Sequence, residues 1–337
     1  MFRCFVRVYL PVFLVLTALL ACPTFSQTVS ATQMKNVRLV DAHNHIVRGM
    51  TLDDLIEWMD NSLVQRTLLM PIFLGGDDPK GQGISDENLV IEWYKKQPDR
   101  IIPFLGMQRT ILDKKRFEQP DAEAEKFLQF TEDQLRTGIF KGMGEFILRQ
   151  YSYSYNEMEA AGVKISADAP LMKRFLDLAA KYKVPVIIHC EIDKDSLPSL
   201  RKMLEYGRQV KIILAHNGGR PDTATLQALL ESYPNVFCDL AGMTLWGEYG
   251  FVGGEYAKNP IVDKTHQLLQ AWKNLFEQYP DRFVGIGIDV VHPRRWDRGR
   301  YGQVVDAFRI MLSALSPQTA DKISYQNAEK IFGLTPS

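Results

Sequence analysis

Val184-Pro185-Val186-Ile187-Ile188-His189-Cys190, then Ser196-Leu197-Pro198-Ser199-Leu200-Arg201-Lys202-Met203-Leu204-Glu205-Tyr206, then Val210-Lys211-Ile212-Ile213-Leu214-Ala215-His216 form one repeating unit. A short β-rich apolar run, a charged amphipathic segment and a second apolar run read as strand, helix, strand. The same alternation continues in both directions, from residue 37 to the C-terminus. It predicts strands over 37–43, 66–73, 101–107, 139–145, 184–190, 210–216, 235–241 and 283–289, separated by helical patterns near 52–60, 86–97, 121–136, 169–182, 195–207, 222–233, 263–278 and 300–314. Strands alternating with helices argue for a parallel sheet with helices outside it, and eight such units close a (β/α)8 TIM barrel, one α/β domain over 37–335. Ile323 to Leu334 has apolar residues near helical spacing and stops at Gly333 and Pro336, which predicts an additional C-terminal helix capping the outside. The long connections, 74–85, 108–120, 149–168 and 243–262, each follow a predicted strand, where this architecture builds active sites.

The 337 residues are 46% hydrophobic and 24% charged, which excludes a disordered or fibrous chain and leaves material for a sizeable core. Formal net charge is zero, so no basic surplus points to nucleic acid, and none is expected as a partner. Residues 1–21 differ in character: Arg3 and Arg7 precede an apolar run, Val8 to Ala21, too short to span a bilayer comfortably. They read as a signal peptide, followed by a linker over 22–36. The run ends Leu19-Leu20-Ala21-Cys22, which resembles a bacterial lipobox with Cys22 as the lipidated residue; ordinary cleavage after Ala21 or around Gln27 is the alternative. Either route exports the protein, with a periplasmic destination and contact with a membrane only through a lipid on Cys22. Cys190 and Cys238 remain in the mature body, each inside an apolar run, and are expected to be small core residues rather than a disulfide framework.

Asp41-Ala42-His43-Asn44-His45 closes the first predicted strand, and strict alternation would turn Asp41, His43 and His45 to one face. The chain has six histidines, and four fall at strand ends: His43, His45, His189 and His216. Counting along each run puts His189, His216, Glu145 and Asp289 at one level near the C-terminal rim, where all face the same mouth. Three or four imidazoles with one or two carboxylates form a ligand set for a borderline divalent ion, Zn2+ first, with Mn2+, Fe2+ or Ni2+ as alternatives. His266 falls on a predicted helix and reads as a surface or packing residue.

These residues resemble the amidohydrolase superfamily, specifically its amidohydrolase-related (amidohydrolase 2) branch of metal-dependent TIM-barrel enzymes. The resemblance rests on the D-x-H-x-H at 41–45, His189, the Ala215-His216-Asn217-Gly218-Gly219 element, the Gly285-Ile286-Gly287-Ile288-Asp289 element and the closing run Lys322 to Leu334, and covers most of the mature chain. It implies that His43, His45, His189 and Asp289 bind metal and that His216 is a second-metal ligand or a catalytic hydrogen bonder. Superfamily members with two ions bridge them through a strand-four lysine or glutamate. Lys141 and Glu145 share a face, but Lys141 lies roughly 13 Å deeper by strand rise, so Glu145 is the candidate, with a substrate-contacting carboxylate as the alternative.

Such a set implies water activated by one or two ions, Asp289 as the base, His216 stabilising the oxyanion, and Asp41 orienting a ligand imidazole from behind. Arg109 and Arg149 are candidate anchors for a substrate carboxylate or phosphate, as is the Arg294-Arg295 pair; Tyr151, Tyr153, Tyr155, Trp246 and His292 are candidate pocket walls. The leading expectation is hydrolysis of a small-molecule ester, lactone, amide or phosphoester. A one-metal nonoxidative decarboxylase of the same superfamily, a nuclease and a non-catalytic exported binding protein are the competing readings. A nuclease is disfavoured by the neutral charge, a binding protein by the intact ligand set.

Overall fold

The computed structural model describes residues 37–46, 49–72, 84–109, 111–151, 162–219, 221–244, 259–289 and 298–335. The leader, the linker and Cys22 lie outside them, as do Tyr153, Tyr155, Trp246, His292, Arg294 and Arg295. Among the described residues no helix is long and apolar enough to cross a membrane.

Eight parallel strands run β1 (Leu39–Asp41), β2 (Val64–Pro71), β3 (Ile101–Pro103, resuming at Leu105–Gly106), β4 (Met143–Gln150), β5 (Val186–Cys190), β6 (Ile212–Leu214), β7 (Val236–Asp239) and β8 (Phe283–Val284). Each pairs with its neighbour, with Asp41 opposite Thr67, Thr67 opposite Ile101, Leu105 opposite Met143, Met143 opposite Val186, and Val186 opposite Ile212. Cys238 then pairs with Leu214 and with Phe283. The ring closes where Ala42 N donates to Ile286 O at 2.7 Å and Ile286 N to Val40 O at 3.0 Å. Close approach at this seam demands glycine. A Cβ on Gly285 would stand 2.6 Å from Val40 O and Ala42 Cβ, and one on Gly287 2.5 Å from Ala241. The strands are connected by α1 (Leu52–Asn61), α2 (Ile84–Lys96), α3 (Ala122–Arg136), α4 (Pro170–Tyr182), α5 (Leu197–Tyr206), α6 (Thr223–Ser232) and α7 (Gln270–Gln278), and α8 (Arg298–Ser313) follows β8. The apolar faces of these helices bury against the outside of the strands in the larger of two cores. The (β/α)8 barrel is the fold predicted from the alternation.

Three elements differ from expectation. Strand four runs Met143–Gln150 rather than 139–145, because pairing of Ile147 with His189 and Arg149 with Cys190 carries the ladder past Glu145. Helix seven begins at Gln270, not 263. The Asp263 carboxylate accepts from Thr265 N and Gln267 N and folds the chain into a turn, in which His266 adopts a left-handed conformation and its Nδ1 lies 2.8 Å from Thr244 O. The closing segment is Pro317–Asp321, a π turn at Lys322–Gln326 and Asn327–Phe332, and it does not cap the outside. Tyr325, Ala328, Ile331 and Phe332 instead join Val40, Leu68, Ile102, Phe104, Ile187 and Ile213 in the second, inner core, sealing the barrel at its N-terminal end. Phe332 meets Phe104 edge to face at 5.4 Å. Cys190 and Cys238 are free, buried core residues as expected, and burial pushes the Cys190 thiol up to about 12.

Candidate metal centre

Above the inner core the strand ends bring together His43, His45, Glu145, His189, His216, Asp239 and Asp289. All are buried except Asp289, whose side chain is 21% exposed. Regular strand is interrupted after Asp41 and resumes at His45–Ile46, where His45 pairs with Met70. Val40 and Ala42 face the inner core, so Asp41 points between strands, accepting from Thr67 Oγ1 and Asn44 Nδ2, both at 2.8 Å, and from Ile288 N at 3.1 Å. Burial pushes its carboxyl up to about 7 against those hydrogen bonds. Asp41 therefore ties β1 to β2 and to the end of β8, and the expectation that it orients an imidazole is corrected: alternation breaks where the chain bends at His43.

The orienting carboxylate is Asp239, which sequence reasoning missed. Its Oδ2 lies 2.8 Å from His43 Nδ1, and its Oδ1 accepts from His216 N at 2.9 Å and Ala241 N at 3.1 Å. With Nδ1 carrying the proton, His43 presents the Nε2 lone pair to the centre. Ala241 O, 3.0 Å from His216 Nδ1, fixes the orientation of the second ring. The available signal was an acid interrupting the apolar stretch Val236 to Ala241.

His43 Nε2 stands 3.2 Å from His45 Nε2, 3.6 Å from Asp289 Oδ1 and 3.6 Å from Glu145 Oε2; His45 Nε2 stands 3.4 Å from the same aspartate oxygen and 3.8 Å from the same glutamate oxygen. Ligands held about 2.0–2.2 Å from one tetrahedral ion are separated by roughly 3.3–3.6 Å, so His43 Nε2, His45 Nε2 and Asp289 Oδ1 have the spacing of a single divalent cation, with Glu145 Oε2 beside them. Two triads have cation-sized spacing, His43 with His45 and Asp289, and His43 with Glu145 and His216. His189 falls outside both, its Nδ1 3.0 Å from Glu145 Oε1.

Charge balance agrees with the geometry. Burial opposes ionisation of Asp289 and Glu145, yet the His45 hydrogen bond and the surrounding imidazoles hold Asp289 at about 2, and His43, His189 and His216 hold Glu145 well below the usual range. Burial lowers the histidines in turn, but Asp239 and Glu145 raise His43 well above normal, and Glu145 with Asp289 push His216 up to about 9. His189, where burial dominates, is lowered. The raised proton affinity of His43 and His216 offsets the charge of the carboxylates, and a divalent cation bound by His43, His45 and Asp289 would bring positive charge to the same place.

His216 (φ 54°), Asn217 (φ 55°), Gly218 (φ 73°) and Gly219 (φ 75°) form a left-handed turn, and Asp289 (φ 54°) is left-handed too. For non-glycine residues this conformation costs roughly 1–2 kcal/mol each. Hydrogen bonds hold it at both places: Asp239 receives His216 N, and Asp289 N donates to His43 O at 3.0 Å.

The two arginines expected to anchor substrate are otherwise engaged. Arg109, its side chain fully buried, pairs with Glu87 and donates to Gly106 O, a structural position that corrects the expectation. Arg149 donates from Nε and NH2 to Asp193 Oδ2 at 3.1 and 2.6 Å, and Tyr151 OH donates to the same oxygen. A cavity of about 500 Å³ lined by Tyr151, Ile192, Asp193, Asp222 and Asn259 lies beside the centre, with none of the seven converging residues in its wall.

No curated protein matches the sequence. Solved structures show the same fold at low identity. 2,6-Dihydroxybenzoate decarboxylase from Rhizobium is 15% identical with a TM-score of 0.50, over 88% of this chain and 98% of that one. Dihydroxybenzoic acid decarboxylase from Polaromonas sp. JS666, with bound manganese and the inhibitor 2-nitroresorcinol, is 14% identical with a TM-score of 0.52, over 89% and 98%. 4-Oxalomesaconate hydratase from Rhodopseudomonas palustris is 13% identical with a TM-score of 0.50, over 88% and 95%. The amidohydrolase family model matches residues 40–334, a span that includes all seven converging side chains and the segment that seals the barrel, and the chain belongs to this metal-dependent enzyme family.

Proposed function

We propose that this chain is an exported hydrolase that uses one divalent cation, Zn2+ before Mn2+, Fe2+ or Ni2+, to cleave an ester, lactone, amide or phosphoester of a small molecule. The triad of His43, His45 and Asp289, with Glu145 beside it, carries the reading. Both cation-sized triads contain His43, and with Nδ1 engaged by Asp239 its single Nε2 lone pair serves one ion, so the triads describe alternative places for it. A cation held there supplies Lewis acidity and a positive charge that eases the ionisation of water.

The remaining chemistry belongs to the chain. Asp289 Oδ1 faces the two imidazoles, and Oδ2 is left to take the proton of the attacking water and return it to the leaving group. His216, protonated on both nitrogens, would donate Nδ1–H to Ala241 O and Nε2–H to the developing oxyanion. Export, with a lipid on Cys22 as the anchor, rests on the Arg3, Arg7 and Val8–Cys22 pattern.

The second reading is nonoxidative decarboxylation, favoured by room for one cation. It needs a group to receive the substrate carboxylate, and Arg109 and Arg149 are both in ion pairs. The test is metal analysis of the purified mature protein, then chelation, readdition of Zn2+ or Mn2+, and assay against esters, lactones, amides and phosphoesters beside aromatic and unsaturated acids. Hydrolysis restored by the ion with one equivalent bound supports the proposal. CO2 release without hydrolysis replaces it with the second reading, and a protein that binds no ion removes both.

A further inference from the structure

Glu145 meets the cluster through a carboxylate whose last torsion is broad and nearly two-fold, so rotamer preference alone does not fix where its two oxygens point. Two side chains fix them. His189 Nδ1 stands 3.0 Å from Oε1, and Gln108 Nε2 donates to Oε2 at 2.7 Å. Oε2 is the oxygen near His43 Nε2 and His45 Nε2, whereas Oε1 faces His216 Nε2 at 3.4 Å. One hydrogen bond would let the carboxylate swing about it; a second on the other oxygen locks the division.

Gln108 is itself held in place. Its backbone bridges Ile72, just past the end of β2. The next residue, Arg109, is fastened to Glu87 and Gly106 O and stacks 4.9 Å over the Phe127 ring. The buried Glu87–Arg109 pair therefore anchors the segment that carries Gln108.

We propose that Gln108 is a positioning residue that turns Glu145 Oε2 toward the cation position of His43, His45 and Asp289, and so sets how tightly the mouth holds its ion. The inference rests on the cation reading above. Metal-free protein is titrated with Zn2+ and, separately, Mn2+ for the wild type, Gln108→Met and Gln108→Asn, with thermal unfolding of each metal-free form measured alongside. Methionine keeps the length and removes the donor; asparagine keeps the amide and withdraws it by one methylene. Both variants are expected to bind each ion about 10–100-fold more weakly, with metal-free unfolding midpoints unchanged. Wild-type affinity in Gln108→Met overturns the inference, and Gln108→Asn carries the same test should the methionine variant not fold. A wild type that binds neither ion overturns the cation reading, whereas wild-type binding with unchanged variants overturns the role of Gln108 alone.

Discussion

The two ends of the barrel are made from the same strands and carry opposite chemistry. At the N-terminal end, Tyr325, Ala328, Ile331 and Phe332 enter the interior and pack against apolar neighbours such as Leu68, Phe104 and Ile213. At the C-terminal end, four imidazoles and three carboxylates crowd together with two non-glycine residues in left-handed conformations among them. Stability and reactivity are thus kept apart: the sealed end supplies burial that offsets the charge and strain concentrated at the other.

Substitutions at either end put that division to the test. The largest effect is expected from Asp289→Asn, which should lower kcat by about 10²–10⁴-fold, far beyond what the modest fall in thermal midpoint from losing a charge stabilised by His45, His43 and His216 would account for. Steady-state kinetics beside calorimetry decide it; activity that merely tracks the folded fraction would end the distinction between the two ends. Phe332→Ala should do the reverse, costing about 3–5 kcal/mol in denaturant unfolding through the lost Phe104 contact and the cavity left behind, with activity per folded molecule unchanged. Smaller again is Asp239→Asn, expected to weaken cation binding about 10–100-fold in a chelator competition, because it disturbs the proton on His43 Nδ1 and the turn at His216 together. Unaltered affinity there would mean that the His43 ring is held without it.

Much of this division was legible in the sequence. Apolar β-rich runs announced eight strands, and counting along them placed Glu145, His189, His216 and Asp289 near one mouth, because strand side chains at matched heights share a rim. What was hidden depended on contacts between distant positions. Asp239 looks like an isolated acid until His43 is brought beside it from 196 residues away. Arg109 and Arg149 look available until Glu87 and Asp193 reach them. Asp41 was misread because alternation was extended through a bend, and the closing helix because an apolar stripe does not say which surface it will cover. Gln108 has no signature in the sequence, since an amide on a loop gains its significance from the carboxylate opposite it.

The left-handed turn at His216 and the left-handed Asp289 bear on how this protein can vary. Asparagine, aspartate and histidine tolerate that conformation better than other non-glycine residues, and β-branched side chains tolerate it worst. Of the replacements one base change away from an aspartate codon, asparagine and glycine keep the backbone comfortable and valine does not, so drift at residue 289 is channelled toward residues that preserve the shape of the mouth after its chemistry is gone. Alanine at 216 or 289 adds backbone strain to the loss of a functional group, whereas asparagine separates the two. A descendant that had abandoned catalysis would therefore be expected to retain a well-formed, inert pocket.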